Sequence, residues 1–168
     1  MSIWPVSFLP LLEADVAIQI HAVAAMASFF LGAVVLWRRK GTRLHRLLGR
    51  LWVGLMLVVA TSALFIHETP LIGPFGPIHI LVIVTYVGIG QGLWFVLVRR
   101  NMVAHRIAMQ SVYVGALLLA GAFAFLPGRR MHAMVFGSEA GWPPSLMVIG
   151  AALVAAALIW RQPALRRG

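Results

Sequence analysis

The chain has 168 residues, 61% of them hydrophobic and only 11% charged, with a formal net charge of +10 and no cysteine. A soluble domain carries about a quarter charged residues, so this composition excludes one. Without thiols there is no disulfide, no thiolate-held iron–sulfur cluster and no c-type haem attachment, so any metal or haem falls to His, Met, carboxylate or backbone.

The N-terminal stretch MSIWPVSFLPLLEAD has no positive n-region and carries Pro5, Pro10, Glu13 and Asp15. It is expected to be an interfacial segment over residues 3–12, with Trp4 at headgroup depth, rather than a cleavable signal peptide. Five apolar spans follow, at residues 16–37, 45–67, 78–98, 107–126 and 145–160. Each is long enough to cross about 30 Å of hydrocarbon as a helix at 1.5 Å per residue, the fifth only just. Pro-Gly clusters separate them: ETPLIGPFGP after the second, LPGRR and GWPP between the fourth and fifth.

Between the first two spans lies RRKGTRLHRLLGR, residues 38–50, which holds six of the fourteen basic residues. A shorter version, RRNMVAHR, recurs at residues 99–106. These two segments and the tail, residues 161–167, contain twelve of the fourteen basic residues and no acid. All four acids (Glu13, Asp15, Glu68, Glu139) fall on the other side, with only Arg129 and Arg130. The positive-inside rule then predicts the N-terminus outside and the C-terminus cytoplasmic, with anionic lipid as partner of the basic side. Nucleic acid is not an expected partner.

The first four spans read as a duplicated helical hairpin. His21 and His79 open the first and third, each with a glycine eleven residues on, Gly32 and Gly90. His45 and His105 begin the second and fourth, followed by Arg46 and Arg106, and His67 and His132 lie at or just past their far ends. All six histidines thus form three repeat-related pairs. Along the first span His21, Ala25, Ser28 and Gly32 share a stripe. Along the second, His45, Gly49, Trp52, Met56, Ala60, Ala63 and His67 do the same, which puts its two histidines about 33 Å apart. Gly88 and Gly92 of the third span are spaced as small-xxx-small.

The fold expected is therefore an all-α membrane protein with a single transmembrane domain. It is a four-helix bundle made from a duplicated two-helix hairpin (about 17–67 and 78–132) plus a fifth transmembrane helix at about 145–160 that packs outside.

Histidines at membrane depth mark functional sites, although a single one at a membrane edge ordinarily bonds headgroup, water or carbonyl. Neutral imidazoles from two helices can hold haem b from both faces, with small residues making room. His45 and His105 form one candidate pair, with Arg46 and Arg106 for the propionates, or alternatively a site for lipid phosphate or a quinone headgroup. His21 and His79, beside Gly32 and Gly90, form the other, and two haems would carry electrons across the bilayer. A copper or zinc site from His21, His67, His79 and His132, with Glu68, Met131 and Met134 nearby, is a second reading. An accessory or assembly subunit of a respiratory complex, with copper or no cofactor, and a small-solute transporter are further readings. Transport is opposed by the absence of any charged residue at mid-depth. Tyr86, Gln91, Gln110 and Tyr113 are the sizeable polar groups within the spans. No Ser-His-Asp arrangement, phosphate loop or paired carboxylate points to hydrolysis or nucleotide chemistry.

His21-x-x-x-Ala25, RRKGTRLHRLLGRLW with Met56 after it, PIHIL, AHRIAMQSVYVGA and LPGRR together resemble a family of bacterial integral membrane proteins of unknown function, DUF2306. The likeness covers most of residues 17–130, and Lys-Gly-Thr-x-x-His-Arg is its most specific part. It implies a multi-pass protein of the bacterial inner membrane and gives weight to His21, His45, His79 and His105, without supplying a reaction. At the level of fold alone the arrangement is also similar to transmembrane di-haem b-type cytochromes.

Overall fold

In hydrocarbon every backbone N–H and C=O must be satisfied within the protein, and an apolar run does this by forming a helix. The computed structural model of the chain describes residues 8–66, 76–137 and 140–161, and every element in them is helical. In chain order these are α1 (Leu9–Leu12), α2 (Val16–Trp37), α3 (Arg43–Ala63), α4 (Pro77–Leu97), α5 (Met102–Val112), a π segment (Tyr113–Leu119), α6 (Ala120–Ala124), α7 (Arg130–Phe136) and α8 (Trp142–Arg161). The rod from α5 through the π segment to α6 forms one span, Met102–Ala124, so that five helices are long and apolar enough to cross a membrane.

Local chemistry sets the boundaries and corrects several of those expected. The second span begins at Arg43 rather than His45 because Thr42 is its N-cap, its hydroxyl accepting from the His45 N–H at 3.1 Å. The fourth begins at Met102 rather than residue 107, since Asn101 caps it in the same way, accepting from the Ala104 N–H at 2.9 Å. Such caps satisfy one of the orphan donors of a first turn and contribute about 1 kcal/mol. The fifth starts three residues early, at Trp142: Pro143 and Pro144 sit in its first turn, where a missing N–H costs nothing. The corner between α2 and α3 turns through Gly41 at φ 79°, and that between α4 and α5 through Arg100 at φ 51°, a left-handed conformation in a residue that has a Cβ.

The spans form a closed ring. α2 packs along α3, α3 along α4, α4 along α5, and α2 completes the circuit against the π segment. Consequently α2 lies diagonal to α4, and α3 diagonal to α5. The stripe expected on α3 is its inward face: Trp52, Met56, Ala60 and Ala63 are all buried, Met56 completely. On α2 the buried stripe is Ala24, Ser28, Gly32 and Leu36: Ser28 and Gly32 lie on it as expected, whereas Ala24 takes the place of Ala25 and His21 is only half-buried. α8 packs outside the ring against the π segment and α6. It buries Ala152, Ala156 and Ile159, and the Ser145 hydroxyl donates to the Phe125 carbonyl at 2.6 Å.

Lipid tails are as apolar as leucine, so helices in a bilayer associate through close packing and a few hydrogen bonds. Both are concentrated at Gly32. There Trp52 Nε1 of α3 donates to the Ser28 carbonyl at 3.0 Å. Beside it the Tyr113 hydroxyl of the π segment donates to the Phe29 carbonyl at 3.1 Å. A Cβ on Gly32 would lie 2.5 Å from Trp52 Nε1 and 2.6 Å from the Tyr113 ring, and rigid rings cannot yield cheaply. A Cβ on Gly90, at the matching place in α4, would meet nothing within 4 Å. Gly32→Ala is accordingly expected to cost about 1–3 kcal/mol by overpacking, and Gly90→Ala to carry no such cost, since a Cβ there is unopposed. Equilibrium unfolding in mixed micelles measures both; equal effects would contradict the placement of Gly32.

Candidate functional site

The ring order decides which histidines can face one another. His45, in the first turn of α3, and His105, in the first turn of α5, occupy one diagonal at the end of the bundle that carries the basic corners. His21 and His79 belong to the other diagonal, α2 and α4, at the opposite end.

At the basic end the groups converge. His45 and His105 begin their helices beside the two corners that carry Arg38, Lys40, Arg99 and Arg100. His105 is oriented by its Nδ1, 2.8 Å from the Gly92 carbonyl. A carbonyl only accepts, so Nδ1 carries the proton and Nε2 keeps its lone pair, the tautomer that metal-binding imidazoles use. His45 Nδ1 is buried and has no hydrogen-bond partner. One turn on, a Cβ at Gly49 would meet nothing within 4 Å. Arg46 does not stand free: its Nη1 donates to the Gly41 carbonyl at 2.6 Å and braces the corner.

Read from sequence, Lys40 is a topology charge and the start of the Lys-Gly-Thr-x-x-His-Arg segment, and its role at the end of α2 is missed. Its ammonium donates to the Leu36 carbonyl and, at 3.0 Å, to the Arg38 carbonyl, closing the C-terminus of α2. Lys followed by Gly at a helix end was the available signal. Burial first, and the Arg106 guanidinium second, hold the Lys40 pKa below its usual value. Arg106 therefore lies close to Lys40. Among the described residues the acids are Glu13 and Asp15, both just before α2 at the other end, so no carboxylate of theirs offsets these cations. Two imidazoles on diagonal helices, a buried ring nitrogen without a partner and cations with no described carboxylate beside them are what this end of the bundle brings together.

The opposite end is built differently. His21 Nδ1 lies 2.9 Å from the Val59 carbonyl and 3.3 Å from the Ser62 hydroxyl, so it too keeps its Nε2 lone pair. His79 Nδ1 accepts the Gly76 N–H at 3.1 Å, which makes it part of the start of α4 and puts the ring proton on Nε2. Gly32, expected to make room for a cofactor, is filled by Trp52 and Tyr113, and Gly90 lies on the exposed face of α4. His132, buried in α7, has Nε2 3.3 Å from the Gly141 carbonyl and packs on Phe136 at 5.4 Å. His67 and Glu68 lie outside the described residues. Among the described residues no three of His, Asp and Glu gather where they could hold a metal ion.

In cofactor-free protein the imidazole 15N shifts should report an Nδ1–H tautomer for His21 and His105 and an Nε2–H tautomer for His79. The reverse pattern would overturn these hydrogen-bond assignments.

A family model described as a predicted membrane protein, DUF2306, matches residues 18–159. No curated protein matches the chain. No solved structure does either, so the expected likeness to di-haem cytochromes has no counterpart there.

Proposed function

The chain belongs to the DUF2306 family of membrane proteins, and we propose that it is an electron-transfer protein holding one b-type haem between His45 and His105. The observation that carries this reading is the diagonal placement of these two rings at the basic end, one oriented by the Gly92 carbonyl and the other with a buried nitrogen in want of a partner. Bound there, haem would supply one-electron exchange. His45 and His105 would hold its iron. Lys40 and Arg106, drawn together without an acid, would meet its carboxylates, and Arg38 and Arg46 would add positive charge around them. Cations packed at this site favour the form that carries one more electron. The apolar body of the bundle, sealed at Trp52, Met56 and Tyr113, keeps water from the inward side.

The same reading places the basic end in the cytoplasm of a bacterium, at the inner membrane, where anionic headgroups neutralise the exposed arginines. A quinone would be the electron partner this reading implies for a site at this depth. The opposite-end pair has one ring of the required tautomer and one turned to the backbone, so the proposal is confined to the basic end.

Two measurements check it. Detergent-purified protein from haem-replete cells should show a Soret band that shifts on dithionite reduction, with sharp α and β bands. These should disappear in His45→Ala and His105→Ala and persist in His132→Ala. A colourless wild-type protein would sink the proposal. For orientation, a fluorescent protein fused to the C-terminus should fluoresce and an exported phosphatase fused there should be inactive; the opposite pair of results would invert the topology.

A further inference from the structure

The outward face of α4 carries Ile83, Val87 and Trp94, all more than half exposed, and among these apolar residues lies Gln91, also exposed. Of the other long polar side chains at membrane depth, Gln110 is enclosed within the bundle with its Oε1 unpaired, while Gln19 and the two tyrosines are satisfied. Gln19 donates to the Leu12 and Ala14 carbonyls, Tyr86 pairs with Thr61 at 2.7 Å, and Tyr113 bonds the Phe29 carbonyl. Gln91 has no hydrogen bond among the described residues.

Its depth makes that consequential. Gln91 is eight residues before Arg99, about 12 Å along the helix from the charged boundary. Helical Cβ atoms tilt towards the N-terminus of their own helix, and the N-terminus of α4 is its far end. The side chain is thus aimed deeper into hydrocarbon and cannot reach the near headgroups. A primary amide left unpaired in that environment is costly. Gly90 is exposed beside it, and nothing there obstructs close approach of another backbone.

We infer that α4 is a self-association surface, with a second copy of the chain as its occupant and Gln91 paired with Gln91 across the contact. The depth and the chemistry both select a copy. Two chains inserted in the same orientation and related by a two-fold axis along the membrane normal bring α4 beside α4 in parallel, with both amides at one depth. Each amide has N–H to give and a carbonyl to receive, so the pair is self-complementary. Gly90 permits the helices to approach, as small residues do in membrane helix pairs. The inference does not rest on haem binding, and either can fail without the other.

The chain has no cysteine, so a single introduced cysteine is the one thiol it can contribute to a cross-link in native membranes. Val87→Cys on the α4 face should form a disulfide-linked dimer under a copper–phenanthroline oxidant. Val154→Cys, on the exposed face of α8, should not. Adding Gln91→Leu to Val87→Cys should lower the dimer yield roughly fivefold or more, as loss of a hydrogen-bonded pair in a membrane allows. Gln91→Asn, which keeps an amide, should retain most of it. Val87→Cys linking no better than Val154→Cys, a yield indifferent to Gln91→Leu, or linkage only to a different protein would each overturn the inference.

Discussion

The architecture depends on the seat that α2 offers at Ser28, Phe29 and Gly32. Within a bilayer no hydrophobic force draws one helix to another, so the ring closes where backbones come near and donors find acceptors. Gly32 supplies the nearness, with two aromatic rings against its Cα. The Ser28 and Phe29 carbonyls receive Trp52 from α3 and Tyr113 from the π segment. Thus α2 is tied in one place to both of its ring neighbours. That closure puts α3 and α5 on a diagonal, and the diagonal brings His45 and His105 to the same mouth of the bundle.

Charge at that mouth follows from the same closure. The two helix corners that carry the basic residues are brought side by side, and Lys40 enters the range of Arg106 with burial and repulsion acting in the same direction on its ammonium. Like charges packed together with no described acid between them oppose folding unless an anion attends them. Lys40 offsets part of this by bonding the carbonyls that end α2, where the helix dipole favours a cation. The remaining positive potential, set beside two imidazoles, is what a carboxylate-bearing cofactor would complement.

Much of this was legible in the residues. Long apolar runs announce helices because hydrocarbon leaves the backbone no other open choice, and the 3-and-4 spacing from Trp52 to Ala63 marked the inward face of α3 correctly. The repeat-related histidines His45 and His105 both begin their helices. What sequence could not convey was tertiary. Gly32 and Gly90 each stand eleven residues after a histidine, yet one is pressed by two rings and the other faces outward, because the partners come from α3 and the π segment. His21 and His79 likewise differ in which ring nitrogen carries the proton, a consequence of the Val59 carbonyl in one case and the Gly76 N–H in the other. The π segment left no mark on periodicity, and the role of Lys40 was hidden among its basic neighbours.

The central claim is that imidazoles of His45 and His105 together hold one iron. Electron paramagnetic resonance of the frozen, oxidised protein addresses it most directly, since two imidazole ligands give a low-spin ferric signal and the loss of one gives a high-spin signal. The account predicts a single low-spin species in the wild type, converted by His45→Ala and untouched by His79→Ala. A wild-type protein without a ferric haem signal, or one whose low-spin signal survives His45→Ala, would contradict it.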